Sequence, residues 1–175
     1  MKLGEAGILP GLQRHGAAIS RRRYEGVYSF YNAEEAVSAE RPDQPAGEDS
    51  FVWLGGGGEV LGHVSYGPDG QIPTVEGYEY PGDALDIGLG LRPDLCGRGL
   101  GAAFVALCVQ FGQERYGAGR FRLTVAAFNE RAIRAYRRAG FSVEREVTNR
   151  IFHNKFYIMT GTFAGSEGQF RRTDT

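Results

Sequence analysis

The chain has 175 residues, 23% of them charged, and a formal net charge of −1 with its histidines neutral. That length suits one sizeable core and is short for two full domains, and near-neutrality without a dense Lys/Arg block leaves no field to hold nucleic acid or an anionic membrane. No apolar run approaches the roughly 18 residues of a membrane span, and Met1-Lys2-Leu3-Gly4 lacks a signal-peptide core, so a cytoplasmic protein is expected, with no nucleic-acid and no membrane partner.

In chain order, the sparse apolar positions Ile8, Leu9, Leu12 and Ile19 predict a helix from Gly7 to Arg23, interrupted around Pro10 and Gly11. The aromatic residues Tyr24, Tyr28, Phe30 and Tyr31 follow, and aromatics gathered between short helices are expected to wall a pocket. Glu34 to Glu40 is a short helical candidate, succeeded by a Pro/Gly/Asp-rich loop to Ser50. Two β-type runs, Phe51–Leu54 and Val60–Tyr66, are joined by Gly55 to Gly58, which predicts an antiparallel hairpin. After a loop from Gly67 to Gly82, Leu85–Leu91 reads as a third strand. Its Gly88 and Gly90 predict a bulge or a close backbone approach to a ligand.

That strand runs into Arg92-Pro93-Asp94-Leu95-Cys96-Gly97-Arg98-Gly99-Leu100-Gly101-Ala102, a glycine turn opening a helix. Glycines at alternate positions leave backbone N–H groups unobstructed, and the helix aims its positive dipole end at the same place, so an anionic cofactor is expected there. Phe104, Leu107, Cys108 and Phe111 mark one buried helical stripe, and Gly117 can end the helix. Cys96 and Cys108 lie about three turns apart along this segment, too far for a disulfide, and free thiols fit a reducing compartment. Phe121–Ala126 predicts a strand parallel to the preceding one through a right-handed crossover. Asn129 caps a helix through Ala139, closed by Gly140 and Phe141. Val143–Val147 and Phe156–Thr162 read as a final strand pair, and the polar tail is expected to fray.

Leu91-Arg92-Pro93-Asp94-Leu95-Cys96-Gly97-Arg98-Gly99-Leu100-Gly101 resembles the GNAT superfamily motif Val-x-Pro-x-x-(Gln/Arg)-Gly-x-Gly-(Ile/Leu)-Gly. Leu123 through Phe141 resembles a second block of the same family of acetyl-coenzyme A-dependent N-acetyltransferases. The resemblance implies an α/β fold with a central mixed, mostly antiparallel sheet, one parallel βαβ unit splayed at the cofactor site, and helices on both faces. It implies one domain over residues 1–163, with 1–50 as variable substrate-side elements, 51–163 as the core and 164–175 as a polar tail.

Acetyl-CoA would then be co-substrate, with no metal. Its pyrophosphate would meet Gly97, Arg98, Gly99, Leu100, Gly101 and Ala102, with Cys96 also in the cofactor set, and its pantetheine arm would pair with the edge of Leu89, Gly90 and Leu91. Asn129 and Tyr136 complete the cofactor set. Tyr136 matches the tyrosine that protonates the departing thiolate, and Asp86 stands where many relatives carry a glutamate base. Thr124 replaces the glutamate that relatives acting on protein N-termini often hold. Tyr24, Tyr28, Phe30 and Tyr31 are expected to bind substrate, and Asp69, Glu76, Glu79 and Asp83 to favour a cationic amine. Partners are a small-molecule or peptide amine, with a homodimer left open.

Plainer readings exist for each choice. Tyr136 can be core packing, Asp86 can be solvated or paired with Arg92, and His63 and His153 read as structural or surface histidines. Arg131, Arg134, Arg137 and Arg138 read as a solvated helix face from which one could meet the cofactor's 3′-phosphate. The helix start could lower the Cys96 pKa, yet without a paired base the residue reads as incidental. The glycine turn also fits the Rossmann pattern of a dinucleotide-binding oxidoreductase, but no carboxylate ends the next strand. A non-catalytic acyl-CoA sensor would keep the same turn.

Overall fold

The computed structural model describes residues 7–34 and 41–165. Seven strands form one sheet in the order β1-β2-β3-β4-β5-β7-β6: β1 (Ile8–Pro10), β2 (Ser50–Leu54), β3 (Val60–Tyr66), β4 (Leu85–Leu91), β5 (Arg120–Ala126), β6 (Ser142–Thr148) and β7 (Lys155–Thr162). Among the described residues three α-helices accompany them, α1 (Gln13–Ser20), α2 (Gly101–Tyr116) and α3 (Glu130–Arg138). Only β4 and β5 pair in parallel; every other neighbouring pair is antiparallel. One parallel pair inside an antiparallel sheet is incompatible with the doubly wound dinucleotide fold, which needs a run of parallel strands.

The N-terminal expectation is corrected. Ile8–Pro10 is an edge strand on β2, with Pro10 opposite Phe51, and the helix begins only after Leu12. Proline lacks a donor and is tolerated on a sheet edge, and Gly11 turns the chain while its N–H donates to the Ser50 carbonyl at 2.7 Å. The Glu34–Glu40 candidate lies almost wholly outside the described residues, as does the tail beyond Gly165.

Alternation along the strands sorts the sheet into two faces. One face is covered by α2 and α3. Phe104 of α2 stacks on Trp53 with ring centroids 5.2 Å apart, and a Cβ on Gly62 would come within 2.6 Å of the Phe104 ring. Tyr66 reaches the same layer, and its hydroxyl donates to the Cys108 carbonyl at 2.7 Å. The α2 stripe is wider than the four expected positions: Val105 and Val109 are buried with Phe104 and Cys108, while Leu107 and Phe111 are only partly covered. The helix touches both the sheet and α3, so more than one of its sides is apolar. Gly117 ends α2 in the left-handed region, and the Asn129 side chain caps α3 by accepting from the Ala132 N–H at 3.1 Å. On the opposite face, Ala126, Phe156 and Ile158 meet Phe30, Ile72, Tyr78 and Phe128.

The parallel pair is barely a pair. Its register comprises Leu85↔Phe121 and Asp86↔Arg122, after which β4 continues to Leu91 bonded to β3 and β5 continues to Ala126 bonded to β7. The sheet is therefore two half-sheets joined at one end and open at the other. No bulge produces the opening, because the β3–β4 register steps evenly from Gly62↔Leu91 to Tyr66↔Ile87. The β4 glycines instead permit close approach within the protein: a Cβ on Gly90 would lie 2.5 Å from the His63 ring, and one on Gly88 would lie 3.3 Å from the Gly70 Cα.

Candidate active site

A cavity of about 510 Å³ occupies the opening between β4 and β5 and runs through the sheet. Its walls include Phe104, Val105 and Tyr136 from the helix-covered face and His63, Thr124 and Phe156 from the other. One wall is a strand edge. The Arg92 N–H donates to the Leu61 carbonyl at 2.8 Å, so the even-numbered residues of β4 face β3, and the N–H and C=O groups of Leu89 and Leu91 face the opening. The Tyr24 hydroxyl takes up the Leu91 carbonyl at 2.7 Å.

At the open end lies the glycine turn. Gly97 and Gly99 adopt φ of 75° and 78°, the left-handed region that side chains disfavour. Among the described residues, no backbone acceptor meets the N–H groups of Gly97, Arg98, Gly99 or Leu100, and the first amides of α2 lack intrahelical partners in any helix. Gly101 lets α2 approach α3, since a Cβ there would lie 2.9 Å from the Ala135 Cβ. Arg131, Arg134 and Arg138 of α3 also line the cavity. Backbone donors at a helix start, beside guanidinium groups, are an arrangement suited to an anion.

Tyr136 lies on α3 and is buried. Its side chain lines the cavity, and its hydroxyl has no hydrogen-bond partner among the described residues. Burial pushes this phenol well above its usual pKa, so it holds its proton throughout the neutral range. His63 faces Arg22, whose Nη1 lies 3.4 Å from His63 Nδ1. Burial first and the Arg22 charge second bring the imidazole down to about 4, which keeps it neutral at pH 7. Cys96 also lines the cavity, but burial raises its pKa, opposite to the lowering that a helix start could produce.

Of the residues singled out in the sequence, Tyr24, Tyr28, Tyr31, Leu89, Gly90, Leu91, Cys96, Gly97, Gly99, Gly101, Ala102, Asn129 and Tyr136 line this one cavity. Asp86 does not. It is 5% exposed and bonded bidentately to Arg122, at 2.6 Å to Nε and 2.8 Å to Nη2, with Gln71 Nε2 donating to it at 2.8 Å. A carboxylate so engaged at the last β4–β5 rung has no geometry for taking a proton from a cavity ligand, which corrects its assignment as base. Its partner is Arg122 and not Arg92, which pairs with Asp94.

Phe30 is likewise corrected. It packs edge-on against Phe128 and Phe152 and serves the second core cluster instead of the cavity. Arg98 is exposed, and Leu100 supplies the carbonyl that accepts from Phe104 at the start of α2. The acidic loop also faces elsewhere: Asp83 pairs with Arg120 and Arg122, and Glu76 accepts from the Thr148 N–H at 2.9 Å. None of Asp69, Glu76, Glu79 and Asp83 lines the cavity.

Sequence reasoning missed Arg22 and read His63 as a structural or surface histidine, and both are cavity residues. Arg22 stands among three consecutive arginines, and nothing in that run distinguishes the one that turns inward. His63 carries a weak signal, since it shares a strand with apolar residues yet lies opposite Gly90, where no side chain covers it. Arg131 lies over the Tyr28 ring at 3.6 Å and is no merely solvated residue.

The model of the acetyltransferase (GNAT) family matches residues 17–141. A streptothricin acetyltransferase of Streptomyces lavendulae is 35% identical over 106 residues, covering 57% of this chain and 50% of that protein. The chain thus spans half the length of this curated relative. Among solved structures, AAC(6')-Ib in complex with Parmomycin and acetyl-CoA aligns over 98% of this chain and 99% of its own, with a TM-score of 0.66 and 19% identity. A GNAT-family acetyltransferase from Streptococcus pneumoniae aligns over 91% of this chain and 100% of its own, with a TM-score of 0.64 and 16% identity. Both structural likenesses concern the fold.

Proposed function

Because the chain belongs to the acetyltransferase (GNAT) family, whose model matches residues 17–141, we propose that it transfers an acetyl group from acetyl-CoA to an amine by direct attack in a ternary complex. The observation that carries this reading is the opening of β4 from β5 above a glycine turn. An extended diamide arm needs a free strand edge and its pyrophosphate needs converging N–H donors, and the two stand end to end here. The residues fit the cofactor on those grounds. Leu89 offers an unpaired edge, Gly97 to Ala102 form a cradle, and Arg131, Arg134 and Arg138 supply positive charge beside it.

When bound, acetyl-CoA supplies a thioester carbonyl: an N–C bond forms as the C–S bond breaks, and one proton passes in net from the acceptor nitrogen to sulfur. Tyr136 presents a protonated hydroxyl free of other partners among the described residues, suited to supply that proton on the sulfur side. Among the described residues lining the cavity there is no carboxylate, and an imidazole brought down to about 4 is a weak base. The nitrogen's proton therefore leaves through water. Tyr24 holds the Leu91 carbonyl, so the N–H and C=O of Leu89 and the N–H of Leu91 are left to pair with the arm.

The test is release of free thiol from acetyl-CoA against a panel of amines, with calorimetric titration of CoA and of NAD. The expected result is amine-dependent thiol release and preferential CoA binding. Tighter binding of NAD would overturn the cofactor reading. CoA binding without turnover on any amine would leave an acyl-CoA sensor.

A further inference from the structure

Arg22 follows α1 and enters the cavity from the face of the sheet that α2 and α3 do not cover. Its Nη2 donates to the Val60 carbonyl at 2.9 Å, and its Nη1 approaches His63 Nδ1 at 3.4 Å. No Asp or Glu pairs with it among the described residues, although ion pairs occupy Arg14, Arg92, Arg120, Arg122 and Arg134. Burial works against its charge. A half-buried guanidinium with unused donors and no counter-ion is costly until an anion meets it. Arg131, Arg134 and Arg138 stand on α3 beside the glycine turn and match the phosphates of the cofactor. Arg22 reaches the cavity beside His63 and the Tyr24 hydroxyl, and the lining also includes Tyr28, whose ring Arg131 covers, Tyr31 and Phe156.

We propose that Arg22 binds a carboxylate of the acceptor, so that the amine acetylated here belongs to an amino acid with an apolar or aromatic side chain and not to a polycation. This rests on the acetyltransferase reading for its amine and its site. The carboxylate meets Arg22, the side chain lies against the tyrosines, and the amino group is left to face the opening between β4 and β5. A polyamine or aminoglycoside would instead bring several positive charges into a cavity whose described charged residues are all arginines, which costs affinity through like-charge repulsion. His63 supports the geometry. Its Nδ1 faces Arg22, and its neutrality adds no second cation beside it.

The first arm measures thiol release from acetyl-CoA with L-phenylalanine, L-phenylalaninamide, phenethylamine, kanamycin and spermidine. The second titrates N-acetyl-L-phenylalanine into the CoA-loaded protein by calorimetry, for the wild type, Arg22→Gln and Arg22→Lys. Expected results are kcat/KM highest for L-phenylalanine, and a ratio of L-phenylalanine to phenethylamine that falls roughly 10- to 100-fold in Arg22→Gln, the scale of one charge-assisted hydrogen-bonded contact. Arg22→Lys should recover part of the ratio, and N-acetyl-L-phenylalanine should bind the wild type and be lost in Arg22→Gln. Preference for kanamycin or spermidine overturns the proposal, as does a ratio unchanged in Arg22→Gln. Failure of the acetyltransferase reading shows separately, as absence of CoA binding or of thiol release with every amine. The calorimetric arm then still decides whether Arg22 holds a carboxylate.

Discussion

Replacing Asp86 by Asn separates a structural carboxylate from a catalytic one. In the folded protein Asp86 and Arg122 are fixed by two short hydrogen bonds, with side chains 6% and 2% exposed. They occupy the last rung before the half-sheets part. Asparagine keeps the shape but leaves Arg122 without its buried counter-ion, a change that typically costs about 3–5 kcal/mol. Arg122 retains the Pro81 carbonyl at 3.0 Å and the half-exposed Asp83 at 3.5 Å, which places the expected loss near the lower end, about 3 kcal/mol. At this chain length that corresponds to a fall in Tm of roughly 6–12 °C. Urea unfolding followed by circular dichroism should show a lower midpoint with an unchanged slope, and thiol release assayed well below the variant's Tm should stay within a few-fold of wild type. The double variant Asp86→Leu/Arg122→Met should regain most of the loss, because neither charge is then buried alone. A stability loss under about 1 kcal/mol together with a kcat reduced more than about 100-fold would refute the reasoning and return Asp86 to the chemistry.

Tyr136→Phe removes a hydroxyl with no partner among the described residues while leaving the ring in place, so kcat should fall about 100-fold with little change in KM or Tm; full activity would remove Tyr136 from the acid role. Gly99→Ala forces a side chain into φ of 78°, at a cost of about 1–2 kcal/mol. It should weaken CoA binding about tenfold by calorimetry, and an unchanged affinity would mean that the turn does not cradle the pyrophosphate. His63 titrates near 6.5 unfolded and about 4 folded, so between those values the unfolded chain binds the extra proton and stability falls as pH drops. Between pH 7 and pH 5 the wild type should lose about 2 kcal/mol more than His63→Gln in urea unfolding, and equal losses would show that the imidazole is not buried as described.

The glycine turn and its helix were legible because each glycine there answers a backbone need that few residues can meet: two positive φ angles and one close helix contact. The strands of the core were legible for a related reason. Alternating burial on β3, and Asn129 and Gly140 bracketing α3, are local choices that local structure repeats. The N-terminal strand was not legible, since three residues containing a proline look nothing like a strand until β2 is there to pair with them. The β4 glycines point in sequence to a bulge or to a close backbone approach to a ligand, because sequence marks only the need for space. That space is claimed by His63 and Gly70, which are distant in the chain.

Residue type and spacing by themselves determined the family pattern, the glycine turn, the strand–helix–strand succession and the aromatic run that lines part of the cavity, because these rest on backbone needs and periodicity within short segments. Tertiary structure decided where the charges go. The acidic loop, Asp86 and Arg22 look interchangeable along the chain, yet folding ties Asp86 to Arg122 and Asp83 to Arg120, while it brings Arg22 into the cavity with no described counter-ion. Ion pairs between residues dozens of positions apart depend on how two half-sheets meet. No local pattern encodes which carboxylate is consumed by the fold and which cation is left for a ligand.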